Sequence, residues 1–431
     1  MAGRQEAHRK KIFLIRRYFL PAFIFWNFVL VVFAQQPSLR LDDLLSEALR
    51  NNPEILAAQK GYEAARQRPA QESSLPEPMF SLAYTSIGNP RPFAGLGVDP
   101  TANAGFMVTQ EIPFPGKRKL RGDIAGKEAD AEFQQFQLVE LNVVSRMKQA
   151  YYQLYYAYAG LDVLRRNRQL LLNLLRITEA RYTVGRAAQQ DVYKAQTELS
   201  ILDTRLVQLE REQSAREAEI NSLLNRPPGS PLARPAEFQP QEFRATLEDL
   251  YSDARAKAPM LQKDQKMIER SELAVNLARK EYYPDYAISG GYFNQGGMPA
   301  MYQFRVDLKL PAYFWRKQRA GVTEQAQNLV QSRRSYEATN QALNFRIKDE
   351  YLMADTSSRL LKIYGQTVVP QATLALESSL ASYETGAVDF LAVFTNFVTV
   401  VEYELNYNEE LQNFYVALSR LEEMTGVPLI Q

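Results

Sequence analysis

The sequence contains no cysteine, and its single histidine, His8, lies near the start of the chain. The absence of cysteine excludes disulfides, a lipid-bearing cysteine and thiolate metal sites. With no histidine in the rest of the chain, most nucleophile–base pairs and most zinc or copper sites are excluded too. Acidic and tyrosine side chains are abundant but form no catalytic constellation. The sequence therefore predicts no enzyme active site, no cofactor and no metal centre.

A basic segment followed by an apolar run opens the chain. Residues 1–17 carry six Lys or Arg and one Glu, and Tyr18–Phe33 is an almost unbroken apolar run of 16. This order, followed by the small residue Ala34, predicts a secretory signal peptide over 1–34; an uncleaved anchor helix is the alternative. Its removal takes away six positive charges and one negative charge, so the formal net charge changes from +2 to −3. Such a near-neutral chain gives no support to nucleic-acid binding.

Proline is absent between Gly116 and Arg226. Apolar residues in this stretch recur at alternating spacings of three and four, the heptad pattern of a coiled-coil seam, and only Glu140 interrupts them. The pattern stops near Gly185 and resumes after Asp191, so Gly185 is predicted to form the turn of a helical hairpin. A glycine tolerated within one helix is the alternative. The seam comprises Phe133, Phe136, Glu140, Val143, Met147, Ala150, Leu154, Ala157, Leu161 and Leu164.

Four short segments show period-two alternation instead. The clearest is 301–311, in which aromatic and aliphatic residues alternate with glutamine, arginine, aspartate and lysine. Such alternation places the apolar side chains on one face of a strand and the polar ones on the other. One such strand would suit a hairpin over a soluble core, but the chain has four and almost no other β-structure. The predicted strands are 79–88, 103–113, 284–294 and 301–311.

The chain repeats its plan at an offset of 206 residues, which relates Leu247–Leu250 to Leu41–Leu44 and Pro259 to Pro53. This repetition predicts a tandem duplication. The first repeat, 35–230, has a helix over 41–72, two strands, a long helix over 116–184 and a return helix over 189–225. A linker, 231–246, precedes the second repeat, 247–431, which has a helix over 247–281, two strands, a long helix over 316–385 and a return helix over 387–424.

The helix lengths determine the arrangement within each repeat. The long helix has 68 residues over 117–184, or about 100 Å at ~1.5 Å per residue. The return helix has 37 residues and the helix before the strands has 32, so together they cover the long one. The predicted fold class is therefore mainly α with a small membrane β-barrel. Each repeat places two strands on top of a long coiled-coil hairpin.

Four strands per chain are too few for a membrane barrel, which needs about eight. A single chain would leave two strand edges unpaired in lipid, so we expect several copies to close one barrel. The aromatic residues Tyr313, Phe314 and Trp315, at a strand–helix junction, are typical of a membrane-interface girdle; packed core aromatics are the alternative. In the strand 301–311 we expect Phe304, Val306 and Leu308 to face lipid, and Arg305, Asp307 and Lys309 to face the lumen.

Three sequence motifs resemble those of the TolC family of outer-membrane efflux ducts. Two are the Tyr-x-x-Gly tips, Tyr182–Gly185 and Tyr383–Gly386. The third is Gln110–Lys117, Gln-Glu-Ile-Pro-Phe-Pro-Gly-Lys, where a strand passes into a helix. This motif is most similar to the branch that serves heavy-metal and related RND pumps. The resemblance covers nearly all of the chain after residue 34.

The resemblance implies a homotrimeric α/β-barrel duct in the bacterial outer membrane, with a long periplasmic part. Three chains would share a twelve-stranded barrel in outer-membrane lipid above a twelve-helix periplasmic tunnel. A periplasmic adaptor, or membrane fusion protein, would grip the tips, and an inner-membrane RND-type pump would supply the energy for efflux or type I secretion. The duct would conduct passively. A secreted coiled-coil scaffold without a membrane part is the alternative.

The resemblance also implies gate and adaptor residues at the tips. Tyr383 matches the closing tyrosine of the family and Asp191 matches an acid, but Val388 stands where the family has an arginine. Asp389, one turn past Gly386, is a third gate candidate; as the alternative, it caps the returning helix. The expected adaptor contacts are Val184, Gly185, Arg186, Thr385, Gly386 and Ala387.

Overall fold

The computed structural model describes residues 38–87, 91–238 and 240–430. The predicted signal peptide lies outside these residues. The fold class is confirmed, because long helices dominate and four strands form one antiparallel sheet in the order β1-β2-β3-β4. The first half contains α1 (Leu41–Asn51), α2 (Pro53–Ala65), α3 (Arg68–Glu72), β1 (Met79–Thr85), β2 (Asn103–Ile112), α4 (Lys117–Thr183) and α5 (Gln189–Leu223). The second contains α6 (Leu247–Lys257), α7 (Pro259–Lys280), β3 (Asp285–Gln295), β4 (Met298–Lys309), α8 (Lys317–Ile363), α9 (Val369–Thr385) and α10 (Phe390–Thr425).

The single helices predicted over 41–72 and 247–281 are wrong, because the chain breaks each of them. Asn52 (φ −67°, ψ 124°) and Ala258 (φ −62°, ψ 117°) are extended. Each precedes a proline, whose ring disfavours helical backbone at the residue before it. Asn52 turns the break into a cap, since its side chain accepts two backbone N–H groups of α2. Its amide nitrogen also donates to the carbonyl oxygen of Leu223 (2.9 Å), which ties this break to the end of α5.

Helix α4 is unbroken over 67 residues. Its upper part packs against α2 and α3, where Arg146 pairs with Glu54, and its lower part packs against α5, where Arg168 pairs with Asp203. The shorter helices of the first half therefore cover α4 between them, as the lengths predict. Burial raises the pKa of Glu140, the polar member of the seam. The fully buried members are Val143, Met147, Ala150, Leu154, Ala157, Leu161 and Leu164.

The long helix predicted over 316–385 is also interrupted. A π-helical turn, Tyr364–Val368, separates α8 from α9, and Pro370 lies in the first turn of α9. Proline has no N–H to donate and its ring clashes with the preceding turn, so the wider π turn accommodates it. Within the described ranges, no helix is both long enough and apolar enough to cross a membrane.

The sheet has two chemically distinct faces. One face carries a continuous row in which Leu82 pairs with Phe106, Phe106 with Tyr292, and Tyr292 with Tyr302. The two ends of this row, Leu82 and Tyr302, are 79% and 80% exposed. Phe304, Val306 and Leu308 share this apolar face, whereas Arg305, Asp307 and Lys309 lie on the opposite, polar face together with Thr109, Ser289 and Asp285.

An aromatic cluster lies midway along the helices. Tyr152 of α4 stacks on Tyr415 of α10 with 4.4 Å between ring centroids. Phe238, from the segment that joins the two halves, meets both rings edge-on at 5.3 and 5.0 Å. The connecting segment is therefore packed between α4 of the first half and α10 of the second.

Candidate functional site

Both helical hairpins turn through a glycine with left-handed backbone. At the first tip, Gly185 has φ +72°; its N–H bonds the carbonyl oxygen of Tyr182 (3.0 Å), and Arg186 N–H bonds that of Arg181 (2.8 Å). The second tip has the same geometry, with Gly386 at φ +84° and bonds of 3.0 and 2.8 Å. This pair of bonds is the Schellman motif, which requires positive φ and therefore favours glycine. The Tyr-x-x-Gly pattern thus specifies the turn itself.

The expected adaptor residues form the exposed ends of the two hairpins. The two tips differ in their surroundings: a β-carbon added at Gly185 would meet nothing within 4 Å, but one added at Gly386 would lie 3.0 Å from Arg181 Nη2. Arg181 of the first hairpin thus lies against the second tip. The exposed residues are Val184, Gly185, Arg186, Thr385, Gly386 and Ala387.

Tyr383 is only 3% exposed. Its hydroxyl lies 3.2 Å from Thr178 Oγ1, and since that hydroxyl already donates to Leu174, Tyr383 is the donor. The guanidinium of Arg181 stacks on the tyrosine ring, 4.4 Å from the centroid, and donates to the Tyr383 carbonyl oxygen. An arginine and a tyrosine therefore meet at the tips although Val388 stands at the family's arginine position. Arg181 was not among the residues predicted from the sequence, where its only signal is a basic residue in the last turn of α4.

The two acidic gate candidates start the return helices. Asp389 is exposed and is the N-cap of α10, where its Oδ1 accepts the N–H of Ala392 (2.9 Å). Asp191 is half-buried in the first turn of α5, where a carboxylate is favoured by the helix dipole. In the described part of the chain, no hydrogen bond joins Asp191 or Asp389 to Tyr383. Within one protomer, the described hydrogen bonds therefore do not join the three candidates directly.

The junction motif Gln110–Lys117 ends in a buried lysine. Lys117 is 1% exposed, and its ammonium donates to Asp285 Oδ1 (2.9 Å), Glu281 Oε2 (3.2 Å) and the Tyr283 carbonyl oxygen (3.1 Å). The same Asp285 oxygen accepts the N–H of Phe114 (2.7 Å). The motif therefore fastens the β2–α4 junction of the first half to the α7–β3 junction of the second.

Aromatic side chains surround this junction. Phe114 stacks on Tyr283 with 4.5 Å between ring centroids. Tyr313, Phe314 and Trp315 are exposed in this chain. Because they are exposed, these three rings do not belong to the hydrophobic core of one chain. Exposed aromatic rings that directly follow a strand with an apolar face are typical of a membrane-interface girdle.

A second buried cation on α4 lies near its middle. The ammonium of Lys148 pairs with Glu422 Oε2 of α10 (2.5 Å). The other oxygen of Glu422 accepts the backbone N–H groups of Leu429 (2.6 Å) and Ile430 (2.7 Å). This pair joins the two halves of the chain and anchors the C-terminal segment.

Comparisons with known proteins cover both halves of the chain. A family model described as outer membrane efflux protein matches residues 44–226 and 250–427. The pyoverdine export outer membrane protein OpmQ of Pseudomonas aeruginosa is 24% identical over 384 residues, which cover 82% of this chain and 78% of OpmQ.

Solved structures share the fold. The outer-membrane channel OprN superposes with a TM-score of 0.76 at 15% identity, covering 90% of this chain and 89% of OprN. The outer membrane protein VceC of Vibrio cholerae superposes with a TM-score of 0.75 at 17% identity, covering 90% of this chain and 97% of VceC. CusC gives a TM-score of 0.75 at 16% identity, with coverage of 89% and 91%.

Proposed function

Because this chain belongs to the outer membrane efflux protein family, we propose that it is the passive exit duct of a tripartite system. The chain is an outer-membrane efflux protein with a long periplasmic helical part, and the secreted-scaffold alternative is wrong. In the proposed system a periplasmic adaptor contacts the tips and an inner-membrane RND-type pump supplies the energy. The protein itself catalyses no reaction.

The proposal depends above all on the sheet. It is apolar and exposed on one face, polar on the other, and ends at β1 and β4. Unpaired backbone groups at these edges cost several kcal/mol each in lipid. We infer that β4 of one protomer pairs with β1 of the next, so that three chains close a twelve-stranded barrel with the polar face towards the lumen.

Two further parts of the proposal concern the periplasmic hairpins. The division into repeats 35–230 and 247–431 around a linker, 231–246, accounts for the two similar hairpins that each protomer contributes to the tunnel. The exposed Schellman turns at Gly185 and Gly386 are the proposed adaptor contacts. The proposed gate residues are Tyr383, Asp191 and Asp389. Because Arg181 contacts Tyr383, we add Arg181 as a fourth gate residue.

The tips offer a direct test in cells that depend on this duct for efflux. Gly185→Asp and Gly386→Asp each put a charged side chain on the exposed turn, so we expect heat-modifiable trimers in the outer-membrane fraction but loss of efflux. Gly229→Asp is the control for the added charge, because Gly229 is exposed, lies far from the tips and has open space at its β-carbon. Unchanged efflux in both tip variants would contradict the adaptor contact. Absence of a wild-type trimer from the outer membrane would contradict the duct.

A further inference from the structure

Basic side chains gather directly below the sheet. The strands β2 and β4 run into α4 and α8, and α7 runs into β3, so the first turns of α4 and α8 and the last turn of α7 lie at this level. Four of these basic side chains are exposed and one is half-buried. We call the group the outer collar; it consists of Lys119, Arg279, Lys280, Arg316 and Arg319.

The outer collar lies on the side that continues the apolar face of the sheet. A groove crosses α3, α4, α7 and α8 and includes Arg121 and Gln325. This groove shares Glu281 with a second groove, which reaches Lys309 on the polar face of the sheet. The grooved side of the helices therefore continues the polar face of the sheet. Lys119 lies two positions from Arg121, about 200° around the helix, and is therefore on the opposite side. Each of the other four collar residues also lies two positions from a groove residue and is therefore on the opposite side. The pairs of collar residue and groove residue are Arg279 and Glu281, Lys280 and Ala278, Arg316 and Gln318, and Arg319 and Gly321.

The charges of the outer collar are not matched within the chain. Across the described residues, none of its five side chains forms an ion pair with a carboxylate. Lower on α4, by contrast, Arg165 pairs with Glu210 and Arg168 with Asp203. The exposed acids near this level are Glu72, which lines the groove on the other side, and Glu77, Asp123 and Glu324; these last three are fewer than the five collar cations. The outer collar therefore leaves an excess of positive charge at this level.

Helix stability does not account for this charge. The positive end of a helix dipole disfavours nearby cations, yet Lys119 and Arg319 lie in the first turns of α4 and α8, where neither helix has an acidic residue. In α1, α2, α5 and α6 the first turn does carry Asp or Glu. The first turns of α3, α7, α9 and α10 also lack an acid. Among the described helices, only α4 and α8, the two that β2 and β4 run into, combine this lack with two or more basic residues in the first turn.

Aromatic rings accompany the cations. The ammonium of Lys280 lies 5.7 Å from the centre of the Phe114 ring, and Phe314 and Trp315 precede Arg316 as exposed side chains. Cations next to an aromatic belt, at the edge of an apolar surface, match the level of phospholipid headgroups.

We propose that the outer collar binds the phosphate headgroups of anionic phospholipids in the periplasmic leaflet of the outer membrane. The inference rests on the proposed duct, which places the apolar face in lipid and the helices in the periplasm. Bound anionic headgroups supply the negative charge that the chain lacks at this level. They thereby fix the height of the barrel and the rotation of the helices beneath it.

The test compares two lipids on the purified full-length trimer. In mixed micelles, dioleoyl phosphatidylglycerol should bind more tightly than dioleoyl phosphatidylcholine, as counted by native mass spectrometry, and the preference should fall as salt rises. The collar variant is Lys119→Gln/Arg279→Gln/Arg316→Gln/Arg319→Gln. Lys280 is kept because it donates to the Pro115 carbonyl oxygen. At about fivefold for each of the four surface cations, this variant should lose about 600-fold in affinity for phosphatidylglycerol.

A control variant separates collar charge from total charge. Arg255→Gln/Arg346→Gln/Lys348→Gln/Lys362→Gln removes the same charge from exposed positions away from the junction, and it should retain the preference for phosphatidylglycerol. Equal binding of both lipids by the wild type, or equal loss in both variants, overturns the collar while leaving the duct intact. Loss of efflux in the collar variant with its lipid preference unchanged also overturns it, and assigns these cations to a protein contact. A wild type that forms no outer-membrane trimer refutes the duct, and the collar with it.

Discussion

At the scale of single residues, the tips depend on one arginine that reaches between hairpins. Arg181 belongs to the first hairpin, and it stacks on and donates to Tyr383 of the second. A planar guanidinium can make both contacts at once, which a lysine ammonium cannot. The two hairpins of one protomer are therefore joined at their lower ends by a contact that separation of the tips must break.

Replacement of Arg181 should loosen the tips. Arg181→Gln removes a cation–π contact and a charged hydrogen bond, together ~1–2 kcal/mol per protomer, so the ratio of open to closed channels should rise about tenfold for each protomer whose tips separate. Single-channel recording in planar bilayers measures this ratio. The control is Arg176→Gln, an exposed arginine on the same helix that does not touch Tyr383. The same conductance and open probability in both variants would rule out a role of Arg181 in closure.

The role of Asp389 separates into two measurable parts. As the N-cap of α10, the side chain of Asp389 accepts a backbone N–H, and the side-chain oxygen of Asn can replace it. Asp389→Ala removes this acceptor, so it should lower the free energy of unfolding by ~0.5–2 kcal/mol and lower the unfolding temperature. As one of three lumen carboxylates it should confer cation preference, which Asp389→Asn would abolish while the cap is kept. We expect Asp389→Asn to unfold at the wild-type temperature but to lose block by multivalent cations. If Asp389→Asn keeps the wild-type ion selectivity and the block by multivalent cations, then Asp389 serves only as a helix cap.

At the scale of elements, β4 has one apolar face and one polar face. Val306 pairs with Ile288 on the apolar face, and Arg305 pairs with Ser289 on the polar face. Arg305 also bonds Asp307 at 3.0 Å along the same strand. A one-residue slip in register would exchange the two faces, so the side-chain pattern and the register specify the same orientation.

The two faces of β4 should respond oppositely to substitution. Val306→Arg puts a charge towards the middle of the bilayer and should cost ~2–4 kcal/mol, which would lower the yield of heat-modifiable trimer in outer membranes. Arg305→Val, its neighbour and control, should insert and assemble normally, because the proposed barrel places position 305 towards the water-filled lumen. Normal assembly of Val306→Arg together with failure of Arg305→Val would show that the proposed orientation is reversed.

At the scale of the whole molecule, α4 joins the two halves of the chain at three heights. Lys117 meets Asp285 below the sheet, Lys148 meets Glu422 near the middle, and Arg181 meets Tyr383 at the tip. Each cation comes from the first half and each partner from the second. Successive links are ~45–50 Å apart at ~1.5 Å per residue, so the long helix is fixed to the second half at both ends and at its centre.

Removal of the uppermost link should destabilise the trimer. Lys117→Met leaves Asp285 without its cation, and since Asp285 and Glu281 are 27% and 44% exposed, we expect a loss of ~1–3 kcal/mol, less than for a fully buried pair. Lys117→Met/Asp285→Asn removes the uncompensated charge and should recover part of this loss. The temperature at which the trimer dissociates in detergent measures both. A double variant less stable than the single one would contradict the coupling.

The sequence by itself determined the features that repeat locally. Heptad spacing identified the buried seam of α4, period-two alternation identified four strands, and Tyr-x-x-Gly identified both turns. These signals are readable because helix and strand periods are properties of consecutive residues. The breaks at Asn52 and Ala258 were also encoded, in Pro53 and Pro259, but the continuous apolar pattern outweighed them in the prediction.

Tertiary structure alone decided which distant side chains meet. Nothing local distinguishes Arg181 from Arg176, or Lys117 from Lys119, yet the first of each pair contacts the second half of the chain and the other is exposed. Their partners, Tyr383 and Asp285, lie more than 160 residues away, and only the rotation of one packed helix against another sets which side chain faces them. Hairpin packing fixes that rotation, because it buries the seam of α4 and thereby orients every other residue on the helix.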